Sequence, residues 1–90
     1  MDKALLVGII LPNIEEVDVN NHLDELEMLA ETANVETLGV ITQKLNRINP
    51  AFYIGKGKAQ QVIEQAKLLN ANVVIFDDEL STAQIKNYHK

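Results

Sequence analysis

The 90-residue chain contains no cysteine and no tryptophan, only two prolines, and four aromatic residues in all. Without cysteine there is no disulfide framework and no thiolate chemistry, and a reducing cytoplasm is the expected setting. Long apolar runs are also missing. The run Ala4–Leu11 covers eight residues, far short of the roughly 20 that span a bilayer. No small-residue cleavage site follows it, so neither a membrane span nor a signal peptide is predicted. The two histidines, His22 at a helix start and His89 near the C-terminus, are far apart without metal-ligand spacing and are expected at the surface. No catalytic triad, internal repeat or low-complexity segment is evident.

What is present points to a folded unit. Hydrophobic residues make up 47 % of the chain, which argues against disorder. Residues 1–90 are expected to form a single domain, burying roughly 60–70 % of the unfolded surface. Net charge is −5 and unevenly spread. Residues 1–40 carry nine acids against Lys3, giving −8, and residues 41–90 carry seven bases against four acids, giving +3. Between Lys44 and Lys58 there are four bases and no acid. A polyanion would be attracted to that segment and repelled by the first half.

The pattern of elements alternates. Lys3–Leu11 reads as a strand covered on both faces, because its apolar residues run without alternation; Pro12 and Asn13 end it. Asn21 is a helix N-cap signal, with Leu23, Leu26, Ala30 and Ala33 following at helical spacing and Asn34 as a left-handed stop. Val35–Thr42 is a second strand and Gln43–Pro50 a polar, basic connection. Ala51–Ile54 is a short third strand, entered through Pro50. It lies too close to the second for a helical crossover, so it is either irregular or antiparallel. A helix from Gly57 to about Leu69 buries Ala59, Val62, Ile63, Ala66 and Leu69 and stops at Asn70. Asn72–Phe76 is a fourth strand. Ser81 with Gln84 forms a capping box, and Leu80 and Ile85 stand where a hydrophobic staple would. Only nine residues follow Ser81, too few for a helix to stand without packing, which predicts a native chain continuing past Lys90. The expected fold is α/β: a Rossmann-like three-layer sandwich with a mostly parallel four-stranded sheet and helices on both faces. In such a fold ligands bind beyond the carboxyl ends of the strands, where the loops Pro12–Asn21, Gln43–Pro50, Gly55–Lys58 and Asp77–Leu80 would gather.

Two segments carry candidate chemistry. Gly55-Lys56-Gly57-Lys58 joins an apolar run to a helix start, which suits an anion: free backbone N–H groups, adjacent positive charge and no bulk. It is not a Walker A loop, since Ala59 follows Lys58 and Phe52 stands where the first glycine belongs, and Gln60 removes the dinucleotide fingerprint. Lys44, Arg47, Tyr53, Gly55, Lys56, Gly57 and Lys58 are therefore the candidates for contact with RNA or another phosphate, with Tyr53 or Phe52 available to stack on a base if exposed. The alternative is that the glycines merely turn the chain and the lysines are solvated. Asp77-Asp78-Glu79 either complements the following helix dipole, holds Mg²⁺ or serves as an acid–base pair. Asp77 or Asp78 would also be placed to pair with Lys56 or Lys58.

These segments, in this order, resemble the N-terminal domain of the HflX family of ribosome-associated GTP-binding proteins. The matching pieces are Leu26-Glu27-Met28-Leu29-Ala30-Glu31-Thr32-Ala33, then Pro50 through Tyr53-Ile54-Gly55-Lys56-Gly57-Lys58, then Val74-Ile75-Phe76-Asp77-Asp78-Glu79-Leu80-Ser81 with Gln84. Asn34 replaces the glycine usual after the first helix, and Thr82 the proline usual after the serine cap; both substitutes suit their positions. The resemblance implies a complete protein with a helical segment and a G domain that hydrolyses GTP with Mg²⁺. It also implies binding to the large ribosomal subunit and its RNA, with a role in dissociating or rescuing ribosomes. For residues 1–90 it implies recognition and positioning, with no catalytic residue, no metal and no cofactor of their own. A small phosphate- or nucleotide-binding domain using Gly55–Lys58 is the competing expectation, and a Mg²⁺-dependent enzyme using Asp77 and Asp78 a third.

Overall fold

Seven consecutive residues, Ala4–Ile10, are buried on both sides in the first strand, and the rest of the fold is arranged around them. The computed structural model describes residues 1–88; the expectation for His89 lies outside them. Strand β1 (Asp2–Ile10) is followed by helix α1 (Glu16–Thr32), β2 (Val35–Lys44), α2 (Lys56–Leu69), β3 (Val73–Phe76) and α3 (Thr82–Tyr88). The sheet has three strands in the order β2-β1-β3, and both pairings are parallel. Leu38 is the extra residue of a bulge, since Ala4 opposes Thr37 and Leu5 opposes Gly39.

Alternation along β1 divides the core in two. Val7 and Ile9 pack with Tyr53, Ile54, Ala59 and Val62 on the α2 side. Leu6 and Ile10 pack with Val19 and Leu23 of α1 on the other. Helices thus cover both faces of the central strand, as the apolar run predicted. Helix α1 begins at Glu16 and not at Asn21, and Val19 is already buried in its first turn. Asn34 and Asn70 take positive φ angles, 63° and 59°, as left-handed stops.

The expected four-stranded sheet is corrected to three strands, because Ala51–Ile54 does not form one. Asn49 bends this segment back on itself. Its Oδ1 accepts hydrogen bonds from the N–H groups of Ala51 (2.7 Å) and Phe52 (3.1 Å), and its backbone exchanges bonds with Tyr53. Tyr53 sits at φ 70° while Ile54 N–H donates to Phe52 O at 2.8 Å, a γ-turn of the rare positive-φ kind that costs a non-glycine residue strain.

Helix α3 clamps this turn from above. Gln84 Nε2, Asn87 Nδ2 and Tyr88 Oη donate to the carbonyls of Asn49, Ala51 and Phe52 at 2.8, 2.9 and 2.6 Å. The capping box is present in both directions: Ser81 N–H donates to Gln84 Oε1 at 2.8 Å and Gln84 N–H to Ser81 Oγ at 3.2 Å. Gln84 is the buried polar residue of the core, 5 % exposed. Gln84→Ala is expected to destabilise the domain by about 2 kcal/mol, from the cap and one buried hydrogen bond together; a lowered urea midpoint at unchanged m-value checks it.

Candidate functional site

In a parallel sheet of this order the natural crevice lies outside the carboxyl ends of β1 and β3, where the chain turns to opposite sides. Here the chain's own side chains occupy it. Asp77, the first residue after β3, accepts a hydrogen bond from Tyr53 Oη at 2.7 Å with Oδ1 and from Ile9 N–H at 3.3 Å with Oδ2. His22 Nε2 donates to Asp77 O at 3.1 Å, which fixes the proton on Nε2 because a carbonyl only accepts. A small cavity of about 220 Å³ remains, lined by Ile9, Leu11, His22, Ile48, Tyr53 and Asp77 among others.

Tyr53 is 4 % exposed. Its ring stands edge-on to Phe76 at 5.7 Å, and Phe76 continues the contact to Tyr88 and Phe52. All four aromatic residues of the chain form one cluster. Burial, then the hydrogen bond to Asp77, then the negative charges of Asp77 and Asp78 raise the Tyr53 phenol far above its ordinary ionisation range. The expectation that Tyr53 stacks on a base is therefore corrected: its ring is committed to the core.

The basic candidates lie elsewhere, Lys44 at the end of β2, Arg47 beyond it, and Lys56 and Lys58 in the first turn of α2. Gln43 Oε1 accepts a hydrogen bond from Gly55 N–H at 2.9 Å and ties the end of β2 to the start of α2. Gly55 is thus the N-cap of α2 with its own amide already engaged, and it contributes no donor to an anion. The next three amides, of Lys56, Gly57 and Lys58, belong to a first turn with no side-chain cap and no acid. Such amides have no intrahelical partner. A β-carbon at Gly57 would meet nothing within 4 Å, so this approach is open. Lys56 and Gly57 are exposed and Lys58 is half-buried, while Lys44 and Arg47 are exposed just upstream.

Lys44 Nζ lies 3.7 Å from Glu16 Oε2 in a highly exposed pair, which is worth little in water. It is the one ion pair among the described residues, so the expected pairing of Asp77 or Asp78 with Lys56 or Lys58 is not formed. Asp78 Oδ1 accepts from Glu79 N–H at 2.7 Å. Among the described residues no three His, Asp or Glu side chains group as metal ligands.

Sequence reasoning missed Gln43 and the role of Asp77. Both act through partners distant in sequence. An acid placed directly at the end of an apolar strand was the one available signal for Asp77.

A family model described as "GTP-binding GTPase N-terminal" matches residues 20–90. The GTPase HflX of Alkalihalophilus pseudofirmus is 37 % identical over 89 residues, covering 99 % of this chain and 21 % of the relative. That of Caldanaerobacter subterraneus is 45 % identical over 87 residues, covering 96 % of this chain and 19 % of the relative. That of Escherichia coli is 36 % identical over 89 residues, covering 99 % and 20 %. The chain spans about a fifth of the length of these relatives.

Proposed function

The chain belongs to the HflX family of GTPases, matching their N-terminal part, and on that premise we propose that it is the accessory domain through which such a GTPase meets the large ribosomal subunit in the cytoplasm. Its work is recognition and positioning. GTP and Mg²⁺ are handled by a G domain further along the same polypeptide, and ribosome dissociation or rescue is the activity of the whole protein.

The observation that carries this reading is the uncapped start of α2. Bare helix amides attract phosphate, and Lys56 and Lys58 add charge without an acid in the first turn. RNA backbone is the phosphate source that an extended basic edge, and not a closed cleft, is suited to. The trough beside β3 supports packing against the rest of the same chain: about 510 Å³, lined by Ile63, Ala66, Val74, Phe76, Leu80 and Ile85 among others.

Changing Lys44, Arg47, Lys56 and Lys58 together to alanine in the full-length protein is expected to weaken binding to large subunits. The salt dependence should flatten by about one unit of slope for each phosphate that is no longer neutralised. Pelleting with purified subunits between 50 and 200 mM salt reads both; unchanged binding would remove the basic edge from the mechanism. The same bare amides favour one second reading, a small phosphate- or nucleotide-binding domain. Titration of residues 1–90 with phosphate, ATP and GTP separates the two, since saturable sub-millimolar binding belongs to the second.

A further inference from the structure

Helix α1 buries Val19, Leu23 and Ala30 and turns an unusual face outward at its far end. Met28 and Leu29 are adjacent and 66 % and 64 % exposed. They line a shallow groove of about 600 Å³ with Glu25, Glu31 and Thr32. The Thr32 hydroxyl is already engaged, donating to Leu29 O at 2.7 Å. Glu31 is shared with a second groove of about 330 Å³ that adds Met1, Glu27 and Glu36.

The charged side chains lining the groove with Met28 and Leu29 are all acidic, while the Met1 amino group borders the second groove. Helix α1 contains six acids and no lysine or arginine. Lys3, opposite Glu36 in the sheet register, is the nearest base in the strands. The last turn of α1 carries no basic residue, although this is the negative end of the helix dipole, where cations stabilise and carboxylates cost. Glu31 therefore stands where the isolated domain gains least from it, and an incoming cation would relieve both its carboxylate and the dipole. Because α1 is about 25 Å long and runs back against the strands, this end lies at the opposite edge of the sheet from Lys44 and Lys56.

We propose that the C-terminal end of α1 is a docking surface for a basic amphipathic helix of a partner protein, seated on Met28 and Leu29 and flanked by Glu25, Glu27 and Glu31. Apolar anchors on such a helix fill the groove, and lysines or arginines on either side meet the glutamates. Methionine suits the task because its unbranched side chain adapts to the shape it meets. RNA is excluded from this end by like charge.

The test uses the full-length protein and two synthetic 16-residue probes, one of leucine and lysine at amphipathic helical spacing and a twin with glutamate for every lysine. Fluorescence anisotropy should show saturable, salt-sensitive binding of the lysine peptide alone, and the Met28 methyl resonance, assigned through Met28→Leu, should shift. The double variant Met28→Gln/Leu29→Gln keeps every charge and should weaken binding at least tenfold; Glu27→Gln/Glu31→Gln should do the same. All four positions are at or near the surface, so circular dichroism is expected to be unchanged. Wild-type affinity in the Met28→Gln/Leu29→Gln variant would reduce the effect to unspecific charge attraction and overturn the proposal. Equal binding of the glutamate twin, or displacement of the lysine peptide by single-stranded RNA with a shift at Met28, would overturn it as well.

Discussion

Asp77→Ala is expected to destabilise the domain by about 3 kcal/mol, a large share of the 5–15 kcal/mol typical of a domain. The carboxylate joins three parts of the fold: it begins the segment after β3, accepts from Ile9 of β1, and accepts from Tyr53 in the turn before α2. Its removal deletes one short charge-assisted hydrogen bond and one longer one, and leaves the Tyr53 hydroxyl without a partner beneath a buried ring; an orphaned buried donor alone costs about 1–3 kcal/mol. Part of this is returned, because Tyr53 is then free to leave its strained φ of 70°. Gly8 belongs to the same device. A β-carbon there would stand 3.0 Å from Leu23 Cδ1 and 3.1 Å from Asp77 Oδ2, so the absence of a side chain at position 8 is what lets the carboxylate approach β1. Tyr53→Phe should cost less, about 1–2 kcal/mol, since Ile9 N–H still holds Asp77. In the double variant the two effects should fall short of additive, because the same hydrogen bond is counted in both singles. Urea unfolding of the four proteins reads the cycle. A change below about 0.5 kcal/mol for Asp77→Ala, the size of an ordinary surface substitution, would show that Asp77 joins nothing of consequence.

The framework was legible where a local signal and a burial pattern agreed. The unbroken apolar run of β1 needs covering on both faces, and the structure covers it so. Asn70 and the Ser81–Gln84 box act within four residues of themselves, and both take the expected roles. The start of α1 was misplaced because Asn21 offers a good cap while Glu15 offers no side-chain cap bond at all. Burial of Val19, two residues before Asn21, outweighed the local preference. Ala51–Ile54 has the composition of a strand, yet its conformation is set by Asn49, by three donors of α3 and by Asp77, twenty-four residues away from Tyr53. No propensity carries that information. The candidate site divides along the same line. Exposed lysines and a bare helix start follow from residue type, whereas the capture of Gly55 N–H by Gln43 and the burial of Tyr53 are products of tertiary packing.

Alkali is expected to unfold this domain through its two tyrosines. In an unfolded chain both phenols ionise near pH 10. In the fold, burial pushes Tyr88 up to about 12, and Tyr53 is pushed further still in the same direction. Between these values the native state binds more protons than the unfolded state, so stability falls as pH rises. The contribution is complete below pH 10 and is lost as pH climbs through the native value. The loss should be cooperative, because each hydroxyl ties the strained turn to a different element: Tyr88 Oη donates to Phe52 O and Tyr53 Oη to Asp77. An ionised Tyr53 would place its charge against the Asp77 carboxylate, so ionisation and unfolding of that part are one event. The chain has no tryptophan and only these two tyrosines, which makes tyrosinate absorbance at 295 nm a clean report. Absorbance and far-ultraviolet circular dichroism should change together, well above pH 10, and a denaturing urea concentration should return the absorbance change to near pH 10. Tyr88→Phe should remove about half the absorbance change while leaving a steep transition, since Tyr53 alone still couples ionisation to the fold. Two phenols titrating near pH 10 with the dichroism intact would mean that solvent reaches both hydroxyls, and the clamp between α3, Asp77 and the 49–53 turn would have to be abandoned.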